Sequence, residues 1–290
     1  MTPRVLVTGA SGRIGRVVVP LLRERFDVVA AGRRASDGID AELDLADAAS
    51  IRLAVAAARP DVVLNLGGVV GAASAVDAAL TERVNVGGAV ALAEEAREAG
   101  ASLFVQASTA AVYGTDVDGL LDEDTPLGGR GQYAESKRAA EVGVASASRP
   151  GFTTVSARIF NVWGDAFPDS LVTRLAHSRT EGTVELHGWS RFVRDYIHVD
   201  DVASAIAAIV AADPGVLPGA LNVASGEGTS NEALVALLRE AGMQPAYRVT
   251  GDAASWSRAD VARLRRLGVS PSSLARHPLF AAGSSGSALA

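Results

Sequence analysis

Tyr133-Ala134-Glu135-Ser136-Lys137 sets a phenol and an ammonium four residues apart, one turn along a helix and on one face of it. A lysine ammonium near a tyrosine favours the phenolate and lowers its pKa from about 10. That would make Tyr133 a usable acid or base near neutral pH. Taken alone, such a pair is also what an ordinary exposed helix face carries. A second feature gives it weight. Ser108 and Thr109 follow the apolar run Leu103–Ala107, and a hydroxyl at the carboxyl end of a buried strand can hydrogen-bond a substrate oxygen beside Tyr133.

The amino-terminal end offers a second piece of chemistry. Thr8-Gly9-Ala10-Ser11-Gly12-Arg13-Ile14-Gly15 lies directly after an apolar run and opens a helical pattern. Gly9 permits the tight turn, Gly12 lets the backbone approach a pyrophosphate, and Gly15 lets helix and strand pack closely. The helix start offers free N–H groups and a partial positive charge to an anion. Strand, turn and helix agree, so the segment is read as a dinucleotide site formed by Gly9, Ser11, Gly12, Arg13, Ile14 and Gly15. In such a site Tyr133 and Lys137 also face the cofactor, with Lys137 able to hold a nicotinamide ribose. At the end of the second strand, where an NAD site usually carries an acid for the ribose hydroxyls, this sequence has Gly32-Arg33-Arg34. Two guanidiniums suit a 2′-phosphate, so NADP is favoured and NAD is the alternative. Asp44-Leu45 is placed to bracket the adenine or, alternatively, to cap a local turn.

Composition closes off other chemistries. The chain has 290 residues, no cysteine, and 27 Lys+Arg against 33 Asp+Glu, a net charge of −6. Without cysteine there is no disulfide framework, no Cys-ligated zinc and no thiol nucleophile. The four histidines, His177, His187, His198 and His277, lack metal-site spacing, so no metal site is expected. A mildly acidic chain makes a poor nucleic-acid binder. The apolar run Val202–Ala212 falls short of the roughly 20 residues a membrane span needs, and no export leader is visible. The expectation is a cytoplasmic protein with no nucleic-acid or membrane partner.

The elements that must position these groups alternate in the first half. Strands are expected at Val5–Val7, Val28–Ala31, Val62–Leu66, Leu103–Ala107 and Thr153–Phe160. Helices are expected at Arg13–Arg25, at Ser50–Arg59 with Ser50 as N-cap, at Ala75–Ala99 with a break near Gly87-Gly88, and at Gln132–Ser148. Apolar strands each followed by a helix indicate a doubly wound parallel α/β sheet of Rossmann type. After about residue 164 the rhythm changes. Helices are expected at Asp169–Arg179, Asp200–Ala211, Asn231–Ala241 and Arg258–Leu267, and short strands near Val184–Leu186, Tyr196–His198 and Ala220–Val223. The expected organisation is a dinucleotide-binding domain over 1–164, a smaller mixed α/β substrate-binding part over 165–280 with room for some of its elements to return to the main sheet, and a flexible tail over 281–290.

Taken in order, these segments resemble the extended short-chain dehydrogenase/reductase family, in its nucleotide-sugar epimerase/dehydratase branch. The resemblance rests on the glycine turn, Asp44-Leu45, Leu64-Asn65-Leu66-Gly67-Gly68, Asn85-Val86-x-Gly88 and Ser108-Thr109…Val112-Tyr113-Gly114. It continues through Tyr133-x-x-x-Lys137, Arg158-Ile-Phe-Asn161-Val-Trp-Gly164, Arg194-Asp-Tyr-Ile-His-Val-Asp-Asp201 and Asn222-Val-Ala-Ser-Gly226. It implies Thr109 as the catalytic hydroxyl with Ser108 its neighbour on the substrate side, Tyr133 as acid/base and Lys137 as its partner. It implies Leu66, Gly67, Gly68 and Asn85 on the cofactor side. Asn161, Arg194 and Arg258 match positions that contact a nucleotide-sugar diphosphate. The bland alternatives are ion pairs of Arg194 with Asp195 or Asp200, and of Arg258 with Asp260. His198 is read as structural. The resemblance also implies a homodimer through the helices near Ala75–Ala99 and Gln132–Ser148.

Three reactions share this scaffold. A 4,6-dehydratase of the family carries Asp-Glu directly after the Ser-Thr pair, whereas this chain has Ala110-Ala111. A 4-epimerase needs tightly held NAD, which Arg33-Arg34 opposes. The first reading is therefore NADPH-dependent reduction of a keto group on a nucleotide-activated sugar, a 4-ketoreductase. The alternatives are an NAD-dependent nucleotide-sugar 4-epimerase, a reductase of a small non-nucleotide carbonyl compound, and a non-catalytic NADP-sensing regulator. The segment after residue 226 is short for the family, which leaves the nucleotide part of the substrate open.

Overall fold

The computed structural model describes residues 2–114 and 119–280; the tail expected over 281–290 lies outside the described residues. Strands β1 (Arg4–Thr8), β2 (Asp27–Gly32), β3 (Ala41–Glu42), β4 (Val62–Asn65), β5 (Leu103–Thr109) and β6 (Thr153–Ile159) alternate with helices α1 (Gly15–Arg23), α2 (Ala48–Ala58), α3 (Ala72–Val76), α4 (Ala78–Glu82), α5 (Ala89–Glu98) and α6 (Gln132–Ser146). The rest of the chain adds β7 (Asn161–Trp163), α7 (Leu171–Glu181), β8 (Val184–Leu186), β9 (Phe192–His198), α8 (Val199–Ala211), β10 (Ala220–Val223), β11 (Gly228–Ser230), α9 (Asn231–Glu240), β12 (Tyr247–Val249), β13 (Ser255–Ser257) and α10 (Ala262–Arg266).

The central sheet has seven strands in the order β10-β6-β5-β4-β1-β2-β3, with every neighbouring pair parallel. This is the doubly wound order with its crevice at the carboxyl ends of β1 and β4, where the winding reverses. The strands are apolar throughout because both faces are covered. Val5, Val7, Leu64 and Val105 face one core, with Val18 and Leu22 of α1 and Ile206 and Ile209 of α8. Leu6, Val63 and Phe104 face the other, with Ile51 of α2, Leu92 of α5 and Val144 of α6. The chain beyond residue 164 serves both halves of the molecule. Its β10 becomes the seventh strand of the main sheet, while β11, β9, β13 and β7 form a second sheet over a separate core around Trp163, Leu175, Leu186 and Leu234.

Several elements differ from the sequence expectation. The helix expected from Ser50 starts at Ala48, because the Asp47 side chain accepts from the Ala49 N–H, while Ser50 Oγ takes the N–H of Asp44. The single helix expected over Ala75–Ala99 breaks at Asp77, and from there α4 runs through a π turn into α5. Asp77 is extended and caps α4 through the Leu80 N–H, and Arg83–Gly88 is a π-helical turn. The helix expected from Arg258 begins at Ala262, because Ser255–Ser257 is instead drawn into a strand beside β9. Among the described residues no helix is long and apolar enough to cross a membrane.

Candidate active site

The glycine turn follows β1 and runs into α1. Gly9 has φ +67, and a Cβ there would lie 2.7 Å from the Gly67 nitrogen after β4. A Cβ at Gly15 would lie 2.5 Å from the Gly9 carbonyl oxygen, so helix and turn meet at a distance no side chain permits. No side chain caps the start of α1, which leaves this helix end to an anion. In front of it lies a cleft of about 370 Å³, lined among others by Gly9, Ser11, Gly12, Arg33, Asp44, Leu45 and Leu66–Gly68. A cradle with this backbone approach and two charged side chains at its far end fits a dinucleotide. Arg33 and Arg34 are exposed, and among the described residues neither is in an ion pair. Asp44 accepts from the Ala46 N–H at 2.9 Å.

Other residues expected on the cofactor side do not line this cleft. Arg13 reaches across to α7's approach, pairing with Asp169 and lying 5.5 Å from the Phe167 ring centroid. Asn85 is buried in the π turn. Its amide group holds both the N–H and the carbonyl of Val69 and donates to Ser136 Oγ at 3.1 Å, so it orders the loop after β4 from beneath. Ile14 and Gly15 form the packed start of α1, and Arg34 is exposed, next in sequence to the cleft-lining Arg33.

The groups expected to react sit at the end of β5 and the start of α6. Thr109 is the last residue of β5, and its Oγ accepts from the Ala111 N–H. Its hydroxyl is near enough to Tyr133, in the first turn of α6, to oppose the rise of that phenol's pKa. Lys137, one turn on, is buried, and its ammonium donates to the Ala107 carbonyl at 2.9 Å. That carbonyl also receives Gln106 Nε2, at the end of a buried polar ladder in which Thr8 donates to Asn65 and Asn65 to Gln106. A cavity of about 220 Å³ opens beside Thr109, lined by Ala110, Ala111, Gly114, Asn161, Arg194 and Ser257. The Arg194 guanidinium lies 3.9 Å from the centroid of the Phe192 ring and donates to Ser255 Oγ at 2.9 Å, and Asn161 donates to the Asp195 carbonyl. Neither Asp195 nor Asp200 pairs with Arg194.

Three expectations are corrected here. Ser108 does not line the cavity beside Thr109. Successive residues of a strand point to opposite faces, so Thr109 turns outward while Ser108 turns in and donates to buried Glu141. Arg258 does not line the cavity. Ser257 occupies the register position opposite Arg194, and Arg258, one residue on, donates to the Gly226 carbonyl at 3.1 Å. Lys137 does not dominate the ionisation of Tyr133 in this structure. Burial raises the phenol above its usual value, opposed by the nearby Thr109 hydroxyl, and burial pushes Lys137 itself down to about 8.

Sequence reasoning also passed over a buried network behind the site. Arg158 of β6 grips both oxygens of Glu141 and donates to the Tyr113 hydroxyl and the Glu123 carbonyl. Tyr113 donates in turn to Asn222 of β10. The signal was an arginine inside an apolar strand. Asp195 was passed over too. It is fully buried and accepts from the Ser225 N–H and hydroxyl, the Gly226 N–H and the Ala259 N–H, tying the second sheet to the end of β10. Burial lifts its carboxyl to about 6.

A family model described as the NAD dependent epimerase/dehydratase family matches residues 5–224. The chain belongs to this family. It is an NAD(P)-dependent enzyme of the extended short-chain dehydrogenase/reductase group. It is 34% identical over 171 residues to a dTDP-glucose 4,6-dehydratase of Streptomyces griseus, covering 58% of this chain and only about half, 52%, of that protein. It is 34% identical over 233 residues to a dTDP-4-dehydrorhamnose reductase of Streptomyces griseus, covering 78% and 71%. In three dimensions this family member superposes on the Thermus thermophilus UDP-glucose 4-epimerase in complex with NAD. That match has a TM-score of 0.76 and 28% identity and covers 91% of this chain and 92% of the other.

Proposed function

We propose that the chain reduces a keto group on a nucleoside-diphosphate sugar at the expense of NADPH, as a 4-ketoreductase. The observation that carries this reading is the pair Arg33 and Arg34 directly after β2, exposed and without acidic partners among the described residues, with Arg33 lining the dinucleotide cleft. Two free guanidiniums offer a 2′-phosphate the bidentate bonds that an acid at this position would refuse. Ala110 and Ala111 line the cavity next to Thr109, and their methyl groups supply neither acid nor base to neighbouring sugar carbons. The reductase relative supports the same reading.

In this reading Thr109 and Tyr133 would together hold the carbonyl oxygen. When bound, the reduced nicotinamide supplies the hydride. As the carbonyl carbon becomes tetrahedral, its oxygen gains negative charge, and Tyr133 delivers its phenolic proton there. A phenol held above its usual pKa is protonated at neutral pH, which is the form this step needs. The buried Lys137 ammonium then stabilises the phenolate until a proton returns from solvent. Arg194, presented by the stacked Phe192 ring, faces the cavity as the cation for a sugar diphosphate.

One observation favours the epimerase alternative. The Thermus thermophilus epimerase, alike over nearly its whole length, holds NAD. A melting-temperature panel separates the two. The reductase reading expects a rise with NADP that exceeds the rise with NAD, and NADPH oxidation on adding a nucleoside-diphosphate 4-keto-sugar. Tightly retained NAD with interconversion of two UDP-hexoses would overturn it.

A further inference from the structure

The sequence contains one lysine, Lys137; every other basic side chain among its 27 Lys and Arg residues is arginine. Where charge alone is needed this chain uses a guanidinium. At position 137 it keeps the compact ammonium, whose proton can leave. That ammonium is buried, and its described hydrogen bond is to a neutral carbonyl. A charge in such a place needs a counter-charge, or it loses its proton.

Glu141 lies one turn further along α6, on the Lys137 face. It is 6% exposed. Ser108 donates to one of its oxygens, and Arg158 grips both, at 2.8 to 3.2 Å. Ser108 and Arg158 are register partners on β5 and β6, so the sheet presents both donors to the helix at one level. Ser108 is also the residue before Thr109. The other Arg158 contacts lead away from Lys137, to Tyr113 and the Glu123 carbonyl. The remaining charged groups on elements packed against α6 are Asp77 and Glu82 at α4, Arg83 in the π turn, and Glu94, Glu95, Arg97 and Glu98 on α5. All of these are exposed or only half-buried. Arg138 of α6 itself donates to the Leu127 carbonyl.

We propose that Glu141 is a positioning residue for the reaction: clamped by Arg158 and Ser108, its carboxylate supplies the negative field that keeps buried Lys137 an ammonium. This rests on the reading of Lys137 as the partner of Tyr133. Burial pulls the lysine proton off and Glu141 opposes it, in agreement with the geometry. Arg158 then has a purpose beyond fastening the sheet. It holds the carboxylate in place, one helical turn from Lys137.

A single lysine makes the test direct. Protein grown with lysine carrying ¹³C at Cε gives one side-chain resonance, whose shift follows the ammonium through a pH titration. Glu141→Gln is expected to lower the Lys137 midpoint by about one pH unit or more, and to move the alkaline limb of kcat/KM by the same amount. Because Glu141→Gln leaves Arg158 buried without its partner, it can fail to fold. The double variant Glu141→Gln/Arg158→Met removes both charges together, and the midpoint is expected to fall by less, because Glu141 is the nearer charge while loss of the guanidinium favours the ammonium. An unchanged Lys137 midpoint in whichever variant folds overturns the proposal, because a purely structural Glu141 would change the melting temperature and leave the lysine titration where it was. The titration needs neither substrate nor cofactor, so it stands apart from the reductase test.

Discussion

Removing the Arg33 guanidinium should change which dinucleotide the enzyme prefers without changing its chemistry. Arg33 lines the cofactor cleft at the end of β2, is exposed, and has no acidic partner among the described residues. A charge-assisted hydrogen bond contributes about 1.5–3 kcal/mol, and solvent screening at an exposed site argues for the low end. Arg33→Ser should therefore lower kcat/KM for NADPH about tenfold, and Arg33→Ser/Arg34→Ser together about a hundredfold, since about 1.4 kcal/mol corresponds to a factor of ten. The value for NADH should stay within about twofold, because the unphosphorylated ribose gives a guanidinium no anion to pair with. The assay is initial-rate kinetics with both reduced cofactors at saturating keto-sugar. Equal losses for NADPH and NADH, or none for either, would refute the reasoning, because they would mean that no 2′-phosphate lies against these side chains.

Other consequences are equally concrete. Tyr133→Phe removes the proton donor and keeps the ring, so turnover should fall at least a hundredfold while the thermal shift on adding cofactor is retained. Gly15→Ala puts a methyl group 2.5 Å from the Gly9 carbonyl oxygen, against backbone that cannot step aside, and should cost both cofactor affinity and about 2 kcal/mol or more of stability in urea. Asp195→Asn replaces a carboxylate that accepts four hydrogen bonds by a group that donates at one end, and should lose about 2–4 kcal/mol in the same assay. Lys137 is held down at about 8 against 10.5 for the unfolded chain. Its ammonium is therefore lost as pH rises through about 8, and kcat/KM should fall there. Between about 8 and 10.5 the unfolded chain binds more protons than the native one, so this group's contribution to stability should rise over the same window, on the order of 3 kcal/mol, as pH-dependent denaturation can show.

Much of this arrangement was legible in the residues themselves. Repeated apolar runs followed by helical patterns gave the parallel sheet, and the spacing of Gly9, Gly12 and Gly15 gave the turn, because both signals are local. The three-dimensional partners of single side chains were harder to read. Ser108 and Thr109 look alike in sequence, yet strand alternation sends them to opposite faces, and only knowing which face α6 covers tells which one meets solvent. Arg158 and Glu141 are 17 residues apart and on different elements, so their pairing is a property of packing. Asp47, rather than Ser50, caps α2, because either side chain suits a cap and only the folded turn shows which one meets a free N–H. The expected effect of Lys137 on Tyr133 considered charge and left out burial, which turns out to be the larger influence on both groups.

The central claim is net reduction by a hydride from NADPH, and the most direct measurement follows that hydride. The protein is incubated with NADPH bearing deuterium at the transferable position and a nucleoside-diphosphate 4-keto-sugar, and both products are quantified by mass spectrometry and NMR. The account predicts one deuterium at the new carbinol carbon for each cofactor oxidised. A product without deuterium, formed while the reduced cofactor stays intact, would contradict it.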